Sequence, residues 1–184
     1  MIIKEKVKLL KLLAVFVILA IIFWIFKPGM LIWLILDICG VGWFLIELNL
    51  YKGDSSLIKK ALLIGLFLMI FDFLVENSGK ILGFWETYES SYFVLFVPIE
   101  IMILCLLGGA AWALYLPKKF NKLYSFFDIL LFSFFGALGE FIIMKNNLMS
   151  YGGGWTSYYA FMGYAITWII LHFLNYRVIK EKSL

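Results

Sequence analysis

Most of the usual handles for soluble-enzyme chemistry are scarce in this chain. It has one histidine, His172, and two cysteines, Cys39 and Cys105. A single histidine excludes bis-histidine haem and argues against a His-rich metal site. The cysteines form neither a CxxC pair nor a metal-ligand spacing. Both fall inside apolar runs, where they read as small packing residues. There is no HExxH, and "GGG" at 152–154 precedes Trp155 without the Lys-Ser/Thr of a phosphate-cradling loop. A Ser-His-Asp order has no workable depths, because His172 falls near the opposite face from most of the acids. The net charge is +4, but the basic residues sit between apolar runs and form no stripe with interleaved aromatics. Nucleic acid is therefore not expected as a partner, and neither a metal nor a cofactor is expected.

Apolar surface is what the chain has in excess. Of its 184 residues, 64% are hydrophobic and 20% aromatic, against roughly 45–50% apolar in an ordinary soluble domain. A small soluble domain cannot hide such a surplus, because much of its surface stays in water. Lipid is the solvent that fits. Six apolar segments can be drawn, at about 10–26, 30–50, 61–77, 92–116, 123–144 and 157–176. Each is near the ~20 residues a helix needs to cross ~30 Å of hydrocarbon. The expectation is an all-α, multi-pass bundle of six transmembrane helices, residues 1–184 forming one membrane domain. The first segment has a basic start but no small-residue cleavage site, so it reads as a retained helix. "KPG" at 27–29 breaks helix between the first two segments.

Lysine and arginine predict the orientation. With the gaps numbered alternately, one side receives Lys4, Lys6, Lys8, Lys11, Lys52, Lys59, Lys60, Lys118, Lys119, Lys122, Arg177, Lys180 and Lys182; the other receives Lys27, Lys80 and Lys145. The split is 13 to 3, which predicts a cell-membrane protein with both termini cytoplasmic. The external connections at 78–91 and 145–157 are the longer ones and carry Gly, Trp and Tyr. "FDFLVE" at 71–76 and "FGALGE" at 135–140 share a Phe-to-Glu frame, each followed by a Gly, a Trp and a Ser-Tyr step. This is the pattern of a parallel internal repeat.

Seven acids fall within or beside the segments: Asp37, Glu47, Asp72, Glu76, Glu100, Asp128 and Glu140. A carboxylate at mid-bilayer costs about 2.5–3.5 kcal/mol on insertion scales, so their placement carries information. At 1.5 Å per residue, Asp37 lies about 10 Å and Glu100 about 12 Å below the outer boundary. Glu76 is at the outer rim with Asp72 one turn below, and Glu140 is high in the same leaflet. Glu47 and Asp128 lie toward the cytoplasmic side, at a depth similar to His172. Either could pair with His172 as an inner polar contact, structural or proton-relaying. Asp72 and Glu76 are i and i+4 and share a helix face. Two carboxyl groups this close in low dielectric do not both ionise readily, so one keeps its proton, the preparation of a general acid.

The order Asp72, Trp85, Pro98-Ile99-Glu100, across the third segment, an external loop and the fourth segment, resembles the membrane-embedded carotenoid-synthesis proteins. These comprise lycopene cyclase domains and the related carotenoid hydratases. The resemblance covers about residues 61–116. It implies a polyisoprenoid lying among the helices and acid chemistry, in which a carboxylic acid protonates a carbon–carbon double bond and the cation cyclises or takes up water. Asp72 and Glu100 match the family's catalytic acidic positions and Trp85 its loop aromatic. Ile101 stands where the family motif has a second acid, and no second Pro-x-Glu follows. A two-carboxylate arrangement must therefore draw on a pocket of Glu76, Asp37 or Glu140. The same acids fit two other readings: a small proton, cation or solute transporter, and a non-catalytic lipid-binding or partner subunit. Loss of a lipid product, loss of flux and no loss in an Asp72→Asn variant separate the three.

Overall fold

The computed structural model describes residues 3–179; Lys180 and Lys182, counted above on the basic side, lie outside them. The described residues are 76% helical, in six helices: α1 (Ile3–Phe26), α2 (Leu31–Leu50), α3 (Ser55–Ile81), α4 (Ile99–Tyr115), α5 (Lys122–Lys145) and α6 (Ser157–Val178). Four of them, α1, α2, α5 and α6, are long and apolar enough to cross a membrane. In α1 only 17% of the most apolar window is buried inside the bundle. The rest of that surface faces outward and needs an apolar solvent, which makes this a membrane-associated protein.

Helix starts follow local chemistry. Asp54 Oδ1 accepts from the Leu57 amide at 3.0 Å and caps α3. Asn121 Oδ1 accepts from Leu123 and Tyr124 amides and caps α5, satisfying donors that a helix start leaves over. The fourth helix corrects the expected boundary at residue 92. It begins at Ile99, after a small hairpin of β2 (Phe93–Val94) and β3 (Val97–Pro98), turned at Leu95 with φ of 58°. Pro98 therefore precedes the first turn, at φ −56° and ψ 133°. It starts the helix instead of kinking it, and no helical carbonyl at residue 94 is freed. Proline pushes the residue before it out of helical geometry, so a helix running through 97–98 was the less stable choice. At the other boundary, α3 continues four residues past the expected end at 77.

α4 is the central strut. It packs on α2 and α3, while α6 packs along α5 and α1 lies on α5 through Phe16 against Phe132 and Trp24 against Phe141. The α3–α4 approach is close. A Cβ on Gly65 would stand 2.1 Å from the Leu106 carbonyl oxygen, inside the wider, i→i+5 bonded turn Leu104–Gly108. The main core joins Ile64, Trp112, Tyr124, Trp168 and Leu171, and a smaller one at the opposite end joins Phe23, Ile32, Trp33, Ile142 and Leu148.

The connections sort to two ends. At one, Tyr115 and Asn121 bond to Lys8 and Glu5 of α1, and Lys118 lies 3.7 Å from Asp54. At the other, the Gly29 amide donates to Asn146 and the Trp33 indole to the Glu89 carbonyl. There, strands β1 (Trp85–Thr87) and β4 (Met149–Tyr151) join the two long loops as an antiparallel ladder. Glu76 and Glu140, Ile81 and Lys145, Trp85 and Met149 are each 64 residues apart. On that offset Glu86 pairs with its own counterpart, Ser150. The ladder is thus arranged about a local two-fold axis between the α3 and α5 halves.

Candidate functional site

The acids fall into four groups. The first lies beneath the β1–β4 ladder. Glu76, five residues before the end of α3, accepts from the Trp85 indole N–H at 2.9 Å. Glu140, five before the end of α5, accepts from the Tyr151 hydroxyl and from Tyr164 of α6. Asp72 hydrogen-bonds Cys105 of α4 and lies within electrostatic reach of both glutamates. One of its oxygens, Oδ2, is buried with no hydrogen-bond partner among the described residues. Four helices and two loops thus build this group, with aromatic walls. Trp85 lies 4.7 Å from Trp155 between ring centroids, and Phe84 stacks on Trp155 at 5.4 Å. Tyr151 is outside the helices; burial and then Glu140 hold its phenol well above the usual range, so it stays a proton donor to Glu140.

Gly79 lets this lid sit down. A Cβ there would stand 1.9 Å from the Trp85 ring, so only glycine leaves room for the indole to reach Glu76. Above the ladder a cleft of about 120 Å³ opens between Lys80, Gly83, Trp85, Glu86, Ser150, Tyr151 and Gly152. Lys80 pairs with Glu86 on its rim.

Glu100 belongs to a second group. It is 7% exposed, at the start of α4. Its two oxygens accept from the Ser90 hydroxyl and the Ser91 amide, and its acidic neighbour is Asp37 of α2. Asp72 and Glu100, paired in the sequence reading, therefore lie on different sides of α4: one toward α3 and Cys105, the other toward α2 and the loop.

The third group is Glu47 with Lys8 and Trp43; it does not meet His172. The fourth does: His172 Nε2 lies 2.9 Å from Asp128 Oδ2, which also accepts from the Trp112 indole at 2.8 Å. Asp128 is 0% and His172 4% exposed. Sequence reading missed Trp112, Cys105, Tyr151 and Tyr164. The loop tyrosine and the α6 tyrosine carry no motif, and the side they face depends on which helices are neighbours. Among the described residues no group of three His, Cys, Asp or Glu is placed to hold a metal ion.

The fold and the sites define a helical membrane-associated bundle with buried acid groups. No family model, curated relative or solved structure matches the chain.

Proposed function

We propose that the chain crosses the membrane six times with both termini cytoplasmic, and that its outer half holds an acid site for a membrane-dissolved polyisoprenoid. The 13-to-3 division of basic residues supports the orientation. The grouping of Asp72, Glu76 and Glu140 under an aromatic lid supports the activity. Three carboxyl groups sharing one low-dielectric volume repel one another as anions, so protons are retained among them. Asp72 is the donor in this reading, because it keeps an oxygen with no partner. Its proton adds to a carbon–carbon double bond and leaves a carbocation. The cation closes a ring and loses a proton to Glu76 or Glu140, or takes up water and loses a proton to the same acceptors. The faces of Trp85 and Trp155 attract the positive charge. Glu100, bonded to Ser90 and Ser91 on the other side of α4, anchors the loop that bears Trp85. The resemblance to carotenoid cyclase and hydratase domains points to the same substrate class.

The test is mass spectrometry of lipids co-purified from the native membrane with wild type and with Asp72→Asn, each checked for a monodisperse fold. A polyisoprenoid bound by both, with its cyclised or hydrated form missing in the variant, is the expected result. Bulk phospholipid alone in both samples refutes the reading.

A further inference from the structure

The half of the bundle opposite the lid contains a second polar centre that the acid chemistry does not use. Its nucleus is Asp128, with the Trp112 and His172 rings bonded to one carboxylate oxygen. Around it are five buried side-chain atoms with no hydrogen-bond partner among the described residues: Asp128 Oδ1, His172 Nδ1, Tyr124 Oη, Ser125 Oγ and Asn175 Oδ1. All five residues are less than 5% exposed. Buried polar atoms are almost always paired, by protein or by ordered water, so five together point to a ligand that can both donate and accept.

The helix geometry gives these atoms an order. Ser125 precedes Asp128 by three residues on α5, and Asn175 follows His172 by three on α6. The two helices run in opposite directions, so both residues lie about 4.5 Å nearer the lysine-rich end than the Asp128–His172 contact. Asn175 is carried by a wider, i→i+5 bonded turn, Leu174–Val178, a distortion often found at functional sites. It also lines a cleft of about 10 Å³ with Lys60, Pro117 and Lys118, room for about one water. The unpartnered atoms thus lead from a cleft at the basic end to the imidazole.

We infer that Asp128 and His172 form a proton-exchange site, linked by ordered water past Ser125 and Asn175 to the lysine-rich face of the protein. Water supplies what the set requires: a donor for Asp128 Oδ1 and Asn175 Oδ1, either role for the Ser125 and Tyr124 hydroxyls, and either role for Nδ1. No third His, Cys, Asp or Glu joins Asp128 and His172 among the described residues to complete a metal-ion site. In the exchange step, hydronium gives a proton to the Nδ1 lone pair and becomes water. The Nε2–H bond to Asp128 persists, and the carboxylate then faces an imidazolium in place of a neutral ring. The other titratable groups around the centre are Tyr115 of α4, Tyr124 of α5 and Tyr176 of α6, with Glu5 of α1 near the last two. Of these side-chain types, histidine is the one whose ordinary charge change falls between pH 5 and 8.

His172 is the one histidine in the chain, so its ring can be read without ambiguity. The full chain, labelled with ¹⁵N-histidine, is placed in phosphatidylcholine nanodiscs, and the ring nitrogens are followed by NMR from about pH 5 to 8. The expected result is a neutral-to-imidazolium transition within that window and magnetisation exchange between water and the ring N–H. In Asn175→Leu, which fills the cleft and removes the amide, that exchange slows roughly tenfold or more. Trp155→Phe, at the far end of the bundle, leaves it unchanged. A ring that keeps one protonation state throughout, with no exchange into water over hours, overturns the inference and makes the contact a dry structural bond. Ring shifts that follow added sodium at fixed pH overturn it too, in favour of a cation on the oxygens. Both readings of wild type stand without any variant, and both are independent of the lipid chemistry at the other end.

Discussion

Trp85 and Tyr151 face each other across the β1–β4 ladder, and each donates a hydrogen bond to the glutamate near the end of its own preceding helix, Glu76 or Glu140. The lid and the acids beneath it are therefore one hydrogen-bonded unit, and the ladder locks the two donors together.

Trp85→Phe and Tyr151→Phe each remove one donor while keeping the ring. Each is expected to lower stability by about 1–3 kcal/mol, the cost of an unpaired buried acceptor. Because the two positions share the ladder, the double variant should depart from additivity by about 0.5 kcal/mol or more. Denaturant unfolding in mixed micelles measures the cycle; strict additivity would mean that the donors act independently.

Gly79→Ala and Gly65→Ala both overpack, and the second is the worse. At Gly79 the obstacle is the Trp85 ring, which can swing away and give up Glu76; at Gly65 it is the Leu106 backbone. Overpacking of this kind costs about 1–3 kcal/mol. The Trp85 indole N–H resonance should move in Gly79→Ala and hold its position in Gly65→Ala.

Asp128→Ala leaves the Trp112 and His172 ring N–H groups buried and unpaired, and is expected to destabilise by about 3–5 kcal/mol. Asp128→Asn keeps an acceptor oxygen and should cost clearly less. Thermal unfolding of the two variants side by side decides this; equal losses would show that the charge, not the acceptor, holds the three helices.

Single cysteines at Lys52 and Lys119 are expected to react with an impermeant thiol reagent only after cells are opened, and cysteines at Lys27 and Lys145 in intact cells. All four positions are exposed. The reverse pattern would invert the orientation drawn from the basic residues.

The helices were legible because a lipid-facing helix writes its length directly as an apolar run, and "KPG" marks where the first run stops. The start of α4 was not, since residues 92–98 are as apolar as a helix; the turn at Leu95 and the restriction ahead of Pro98 decide it. The site was legible as a set of residues and illegible as a grouping. Depth follows from counting along one helix, so Asp72, Glu76, Glu100 and Glu140 could all be placed in the same half. Which acids meet depends on lateral neighbours. α4 stands between the Asp72 and Glu100 groups, and nothing in a one-dimensional pattern records that. Asp128 and His172 shared a depth as well, but the Trp112 indole that completes their contact comes from a third helix.

The two-fold arrangement of the ladder bears on how such a site can be assembled. A chain of two helices, with a glutamate near the end of the first and a three-residue strand after it, has the parts to close the same ladder with a second copy of itself. Residues 86 and 150 would then be one position meeting its own image. Joining the copies in a single polypeptide releases them from identity. Asp72 has as its counterpart, 64 residues on, Gly136, where a Cβ would stand 2.7 Å from the Tyr164 ring. One half thus carries a carboxyl where the other leaves room for a tyrosine, an asymmetry closed to a symmetric pair of identical chains.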